Sequence, residues 1–164
     1  TMIRSFEFFA GKGIKGIEFG SKPQQMADWL GSPDDTRRYY PGTKFESTMQ
    51  IWRKSPVLSA NFDFESRLYE IEFDPKMVES FNFRGIDFAV IEPLEIVNLL
   101  FEAEENLFQA QGGSLYFPKL GFGYLQFETD TSAWKVFQPD SLNESLRKIT
   151  LQEAKDYYSV QRQL

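Results

Sequence analysis

The chain contains neither histidine nor cysteine, and these two absences remove most of the usual catalytic chemistry. Without them there is no disulfide framework, no thiolate nucleophile, no Ser-His-Asp or Cys-His machinery and no structural zinc site. General acid–base work falls most often to histidine, so no enzymatic activity and no cofactor are expected. Carboxylates, Lys, Tyr and Ser remain, enough in principle for a two-carboxylate hydrolase or a magnesium site. No stretch approaches 18 uninterrupted apolar residues, so no membrane span is expected. No basic segment followed by an apolar run and a small-residue cleavage site opens the chain, and Thr1-Met2 reads as an addition before the natural start. A cytoplasmic location is the expectation.

Basic residues are missing from one region. Between Gly85 and Pro118 there is no Lys or Arg, against Asp87, Glu92, Glu95, Glu102, Glu104 and Glu105. Those six acids match the net charge of −6 carried by the whole chain. Such a concentration repels nucleic acid and attracts a basic partner.

Aromatic side chains are plentiful: 17 Phe, 7 Tyr and 3 Trp in 164 residues. Each buries about 150–250 Å² when packed, which supplies the core of one domain. The order of the residues carries an internal repeat. Lys15-Gly16-Ile17-Glu18-Phe19 returns as Arg84-Gly85-Ile86-Asp87-Phe88, and each copy is followed by a proline (Pro23, Pro93) and an amphipathic stretch. Phe62-Asp63-Phe64-Glu65 is answered by Leu125-Gln126-Phe127-Glu128, and Leu68 to Phe73 by Ala133 to Phe137. Asp74-Pro75 with Glu79-Ser80-Phe81 finds its echo in Gln138-Pro139 with Glu144-Ser145-Leu146. A unit of about 65–70 residues is too long for a solenoid and suits half of a pseudo-symmetric domain. The expected organisation is one domain over residues 1–164, with pseudo-repeats at about 13–81 and 82–150 and a C-terminal helix.

Local patterns predict two strands (Ile3 to Phe9, Ile14 to Phe19) and a helix capped by Ser21 with Gln24, ending at Gly31. A polar loop follows from Ser32 to Thr43. Strands are expected at Phe45 to Arg53, Val57 to Phe64, Leu68 to Phe73 and Phe81 to Ala89. A second helix runs from Glu92-Pro93 to about Gln109, with Ile96, Val97, Leu100, Ala103, Leu107 and Phe108 on one arc. Strands at Ser114 to Phe117, Phe122 to Glu128, Ala133 to Phe137 and Ser145 to Ile149 precede a helix opened by a Thr150/Glu153 capping box. The fold class is therefore α+β: two mostly antiparallel four-stranded sheets with about three helices, internally duplicated. A two-layer α+β sandwich with the repeats side by side is the alternative.

Several motifs have a plain reading beside a functional one. Gly11-Lys12-Gly13-Ile14-Lys15-Gly16 fits the dinucleotide fingerprint G-x-G-x-x-G, but a strand follows where a helix must open, so it reads as a hairpin. Lys12, Lys15 and Lys22 could hold phosphates, or simply protect a sheet edge. Arg37-Arg38-Tyr39-Tyr40 suits recognition at an interface, or a loop whose arginines answer Asp34 and Asp35. Asp63 and Glu65 alternate on one strand face, with no sign of a catalytic cleft. Glu95, Glu102 and Glu105 are spaced to share a helix face without a basic partner, and Glu92 precedes them. Glu104 falls inside the apolar arc.

Two four-stranded sheets with helices in a pseudo-duplicated order resemble the Whirly fold, although the basic single-stranded-DNA signature of plant Whirly proteins is not found. In size, acidity, topology and lack of catalytic residues the chain resembles the immunity proteins of bacterial contact-dependent growth inhibition and related toxin systems. The resemblance implies a cytoplasmic, non-catalytic inhibitor of a cognate toxin C-terminal domain, often a basic nuclease. Glu92, Glu95, Glu102, Glu104 and Glu105, with Arg37, Arg38, Tyr39 and Tyr40, are the expected contact residues. No membrane, metal or nucleic-acid partner is implied; a single-stranded nucleic-acid binder is the alternative.

Overall fold

The computed structural model describes residues 5–54, 58–110, 112–126, 132–142 and 145–162. Ile3, Val57, Phe127, Glu128 and Glu144, which the sequence reading used, lie outside the described residues. The chain opens with β1 (Ser5–Phe9), β2 (Gly13–Ile14) and β3 (Ile17–Glu18), then α1 (Pro23–Leu30). A meander follows: β4 (Asp35–Tyr39), β5 (Ser47–Trp52), β6 (Leu58–Phe62) and β7 (Leu68–Phe73), ending in a 3-10 turn at Pro75–Met77. Next come β8 (Ser80–Phe83), β9 (Ile86–Asp87) and α2 (Pro93–Ala103). A second meander is built from β10 (Phe108–Ala110), β11 (Leu115–Phe117), β12 (Phe122–Leu125) and β13 (Ala133–Phe137), ending in a 3-10 turn at Pro139–Ser141. β14 (Leu146–Lys148) and α3 (Leu151–Arg162) complete the chain.

Among the described residues the class is α+β with three helices and two mostly antiparallel sheets, but the sheets are not four-stranded. One has five strands in the order β3-β2-β1-β8-β9, the other nine in the order β14-β10-β11-β12-β13-β7-β6-β5-β4. The two meanders meet through their last strands, β13 and β7, with Val136 opposite Ile71. They lie side by side in one sheet, as in the two-layer alternative. The reason is geometric: each meander ends in a strand with a free ladder edge, and pairing the two removes both edges. β1 and β8 pair in parallel, Phe6 beside Phe81.

The small sheet packs on one face of the large one through aromatic rings. Phe6 meets Phe73 at 4.7 Å between centroids, Phe81 meets Trp134 at 5.1 Å and Phe8 meets Phe122 at 6.1 Å. Met26 of α1, Ile96, Val97 and Leu100 of α2, and Ala154 of α3 join the same core. The face of the large sheet covered in this way is its inner face; the opposite, outer face carries the alternate residues of each strand.

Local signals account for several boundaries. Thr150 and Glu153 form the expected reciprocal cap of α3, with Glu153 N donating to Thr150 Oγ1 and Thr150 N to Glu153 Oε1, both at 3.1 Å. The cap of α1 sits one residue later than expected: Lys22 N donates to Gln25 Oε1 at 2.8 Å, while Gln24 bonds Asp28. Gly31 ends that helix at φ 83°, as the glycine signal implied. Ile14 to Phe19 and Phe81 to Ala89, each read as one strand, are each broken by a turn into a pair of short antiparallel strands, β2 with β3 and β8 with β9. Two further expectations fail. Residues 35–39, read as loop, form an edge strand without apolar alternation because neither face of β4 is buried. Residues 108–110, read as the end of α2, form β10, because ladders with both β11 and β14 take up their backbone groups.

Candidate partner-binding surfaces

The nine expected contact residues fall on two separate parts of the molecule. Arg37, Arg38 and Tyr39 lie on β4 and Tyr40 just after it, at one edge of the large sheet. The five acids lie on α2 and the segment leading into β10. β4 and β10 are seven strand spacings apart, roughly 34 Å along the sheet at ~4.8 Å each. The structure therefore does not gather them into one patch.

On α2, Glu92 precedes the first turn and Glu95 lies within it, where a carboxylate is favoured by the helix dipole. Glu102 lies in the last turn, where the dipole opposes it, and Glu105 lies beyond the helix end. Glu92, Glu95, Glu102 and Glu105 are all exposed. Among the described residues none of the four takes part in an ion pair, although α3 packs beside α2. Arg147 of β14 is engaged with Glu153 at 3.3 Å.

Glu104 departs from this group. It is only 7 % exposed, and its carboxylate accepts from the amides of Lys119 at 3.0 Å and Leu120 at 2.9 Å in the turn between β11 and β12. Its place in the apolar arc is explained by these inward bonds, which commit both oxygens to the chain's own amides. The helix does not leave the core at Glu104; the backbone turns there, at φ −146° and ψ 112°, and enters β10.

At the β4 edge the arginines answer acids nearby. Arg37 reaches Asp35 at 3.1 Å, Arg53 reaches the same carboxylate at 3.0 Å, and Arg38 reaches Glu46 at 2.6 Å. The guanidinium of Arg53, followed by that of Arg37, holds the Asp35 carboxyl below its ordinary value. Glu46 is also lowered, first by the Gly42 amide and then by Arg38. These bonds shape the β4–β5 loop. Gly42 N donates to Glu46 at 2.8 Å, and the Thr43 hydroxyl donates to Tyr40 O at 2.8 Å. Tyr40 is held at φ 50°, a region that bulky residues seldom adopt. Tyr40 and Phe45 are each 70 % exposed, with Lys44 over the Phe45 ring at 5.2 Å.

Comparison with protein-family models, curated proteins and solved structures yields no match.

The remaining motifs take structural roles. Lys12 N donates to Phe9 O at 3.0 Å and closes the turn from β1 to β2, so the glycine-rich segment is a hairpin as expected. Lys22 Nζ donates to Glu65 O at 2.6 Å. Asp63 and Glu65 do not share a strand face, since β6 ends at Phe62. Asp63 Oδ1 accepts from the Glu65 and Arg67 amides, both at 2.9 Å, and so builds the β6–β7 turn.

One set of residues escaped the sequence reading. By register, Ile51, Ser59, Glu72, Lys135, Gly123 and Tyr116 form a row across the outer face of the large sheet. Beside Glu72 lies a cavity of about 470 Å³, walled by Met49, Ile51 and Ala133. The only local signal was the alternation of Glu70 and Glu72 with apolar residues in β7, which gives a face but not its neighbours.

Proposed function

We propose that the chain is an immunity-type binding protein that neutralises a basic toxin domain by covering its active groove, on a scaffold of two related halves. The observation that carries this reading is the unpaired acidic face of α2. Glu92, Glu95, Glu102 and Glu105 are exposed, have no basic neighbour in the sequence and, among the described residues, form no ion pair. Glu102, in the last turn, opposes the helix dipole, with no return in stability within the chain. A basic surface docked on this face would offset that opposition and gain charge-assisted hydrogen bonds. The long-range field of such a face speeds encounter, and aromatic anchors such as Tyr40 and Phe45 slow release where a partner reaches them.

The test is to coexpress the chain with the toxin domain encoded immediately upstream and to measure copurification and protection of the cell. In the purified pair, reversing Glu95, Glu102 and Glu105 together to Lys is expected to slow association at least tenfold at low salt, with little change at high salt. An unchanged association rate removes α2 from the interface. Single-stranded nucleic acid is the less favoured partner, since the Lys22 ammonium is already bonded and the net charge is −6.

A further inference from the structure

We propose that the cavity on the outer face of the large sheet receives one basic side chain of the protein partner, an ammonium or guanidinium on an alkyl stem. The proposal rests on the reading above and names a site which that reading did not include.

Three observations carry it. First, Glu72 projects from β7 beside the cavity with its carboxylate half-buried, and among the described residues it has no hydrogen-bond or ion-pair partner. Second, the cations nearby are not committed to it. Lys135, opposite Glu72 in the ladder, pairs with Glu70 at 3.3 Å, and Glu70 also accepts from Asn61 Nδ2. Lys76 and Asp74 also line the cavity; Lys76 is exposed and, among the described residues, forms no ion pair, while its backbone amide donates to Asp74. Third, Met49, Ile51 and Ala133 supply an apolar wall next to the carboxylate. A half-buried carboxylate beside apolar surface suits a ligand with a charged head and an aliphatic stem, which is how Lys and Arg side chains are built. Burial holds the Glu72 carboxyl above its ordinary value, with Lys135 opposing the effect and Glu70 adding to it.

The size is adequate. A cavity of about 470 Å³ lies within the range of ~300–1,000 Å³ usual for ligand sites, and one side chain fills part of it while the partner's surface covers the rest.

The chemistry is tested with n-butylguanidinium as the probe and n-butylurea, of the same shape without charge, as the control. Methyl shifts of Met49, Ile51 and Ala133 are followed by NMR up to about 50 mM probe, a range that suits the millimolar affinity of one small group. Saturable shifts with butylguanidinium, at least tenfold weaker binding in Glu72→Gln, and blockage by Ala133→Leu are expected. No saturable shift, equal binding of butylurea, or unchanged binding in Glu72→Gln overturns the site. The source of the cation is read from the toxin complex, where Glu72→Gln is expected to speed release at least tenfold. Unchanged release with intact butylguanidinium binding overturns the partner's side chain as the occupant and leaves a free cation. Failure of the parent chain to capture any toxin domain defeats the functional reading, and the butylguanidinium titration still decides the cavity.

Discussion

Replacing Glu104 by Ala tests whether this acid supports the fold or meets a partner. In the native chain its two oxygens accept from the amides of Lys119 and Leu120, and the residue is 7 % exposed. Hydrogen bonds to a charged group contribute about 1.5–3 kcal/mol each. The Leu120 amide is buried and would lose its partner outright, whereas Lys119 is exposed enough for water to replace part of its bond. The two together give an expected loss of about 3–5 kcal/mol, a large share of the 5–15 kcal/mol typical of a folded domain. Glu104→Gln keeps one acceptor but turns an N–H toward a backbone N–H, so an intermediate loss of roughly 1.5–3 kcal/mol is expected. The control is the adjacent exposed residue: Glu105→Gln is expected to change stability by less than about 0.5 kcal/mol. Urea unfolding followed by far-UV circular dichroism separates the three variants. A loss under about 1 kcal/mol for Glu104→Ala, or an equal loss for Glu105→Gln, would refute the structural role.

Three further outcomes are expected. A Cβ at Gly121 would run into the carbonyl oxygen of Phe137, and the residue sits at φ 77°, so Gly121→Ala should lower the urea midpoint by the equivalent of roughly 2–4 kcal/mol. Thr150→Ala removes the hydroxyl that caps α3 and should cost about 1 kcal/mol in the same assay; an unchanged midpoint would mean that α3 needs no cap. The third concerns pH. The Glu72 carboxyl is raised in the folded chain, chiefly by burial, so the folded state holds its proton more tightly than the unfolded state. Stability contributed by this group therefore falls as pH rises from the ordinary value of 4.5 through the raised one. Glu72→Gln should be the more stable protein at neutral pH and converge with the parent in acid; a parent that stays more stable at neutral pH reverses the sign and the argument.

Elements with strong near-neighbour signals were legible in the sequence. β7 and β13 begin and end where their alternation does, and α3 opens on its capping box. The buried face of α2 was also readable, because Ile96, Val97 and Leu100 recur at helical spacing and all three are buried. Its exposed acids were readable for the same reason. β4 was not, since Asp35 to Tyr39 show no apolar alternation and form a strand only because β5 lies alongside. The end of α2 was misplaced because Phe108 fits a helix arc as well as it fits a strand, and a choice between them depends on partners at residues 115–116 and 146–148.

Glu104 and Glu72 show the same division at the scale of one side chain. In sequence, Glu104 was one of several acids and Glu72 an unremarked member of a strand. What each does depends on groups brought to it from a distance: the amides of residues 119 and 120 in one case, the side chains of Met49, Ile51 and Ala133 in the other. By itself, then, the sequence determined the three helices, the strands with clear alternation and the uneven charge, because capping, alternation and composition act between near neighbours along the chain. Only the tertiary structure decided that two meanders join, with β14, into one nine-stranded sheet, that two acids of the six, Asp87 and Glu104, turn to amides of the chain itself, and that the expected contact residues stand apart. Those outcomes follow from ladder edges and buried polar groups seeking partners, and the partners lie far away in sequence.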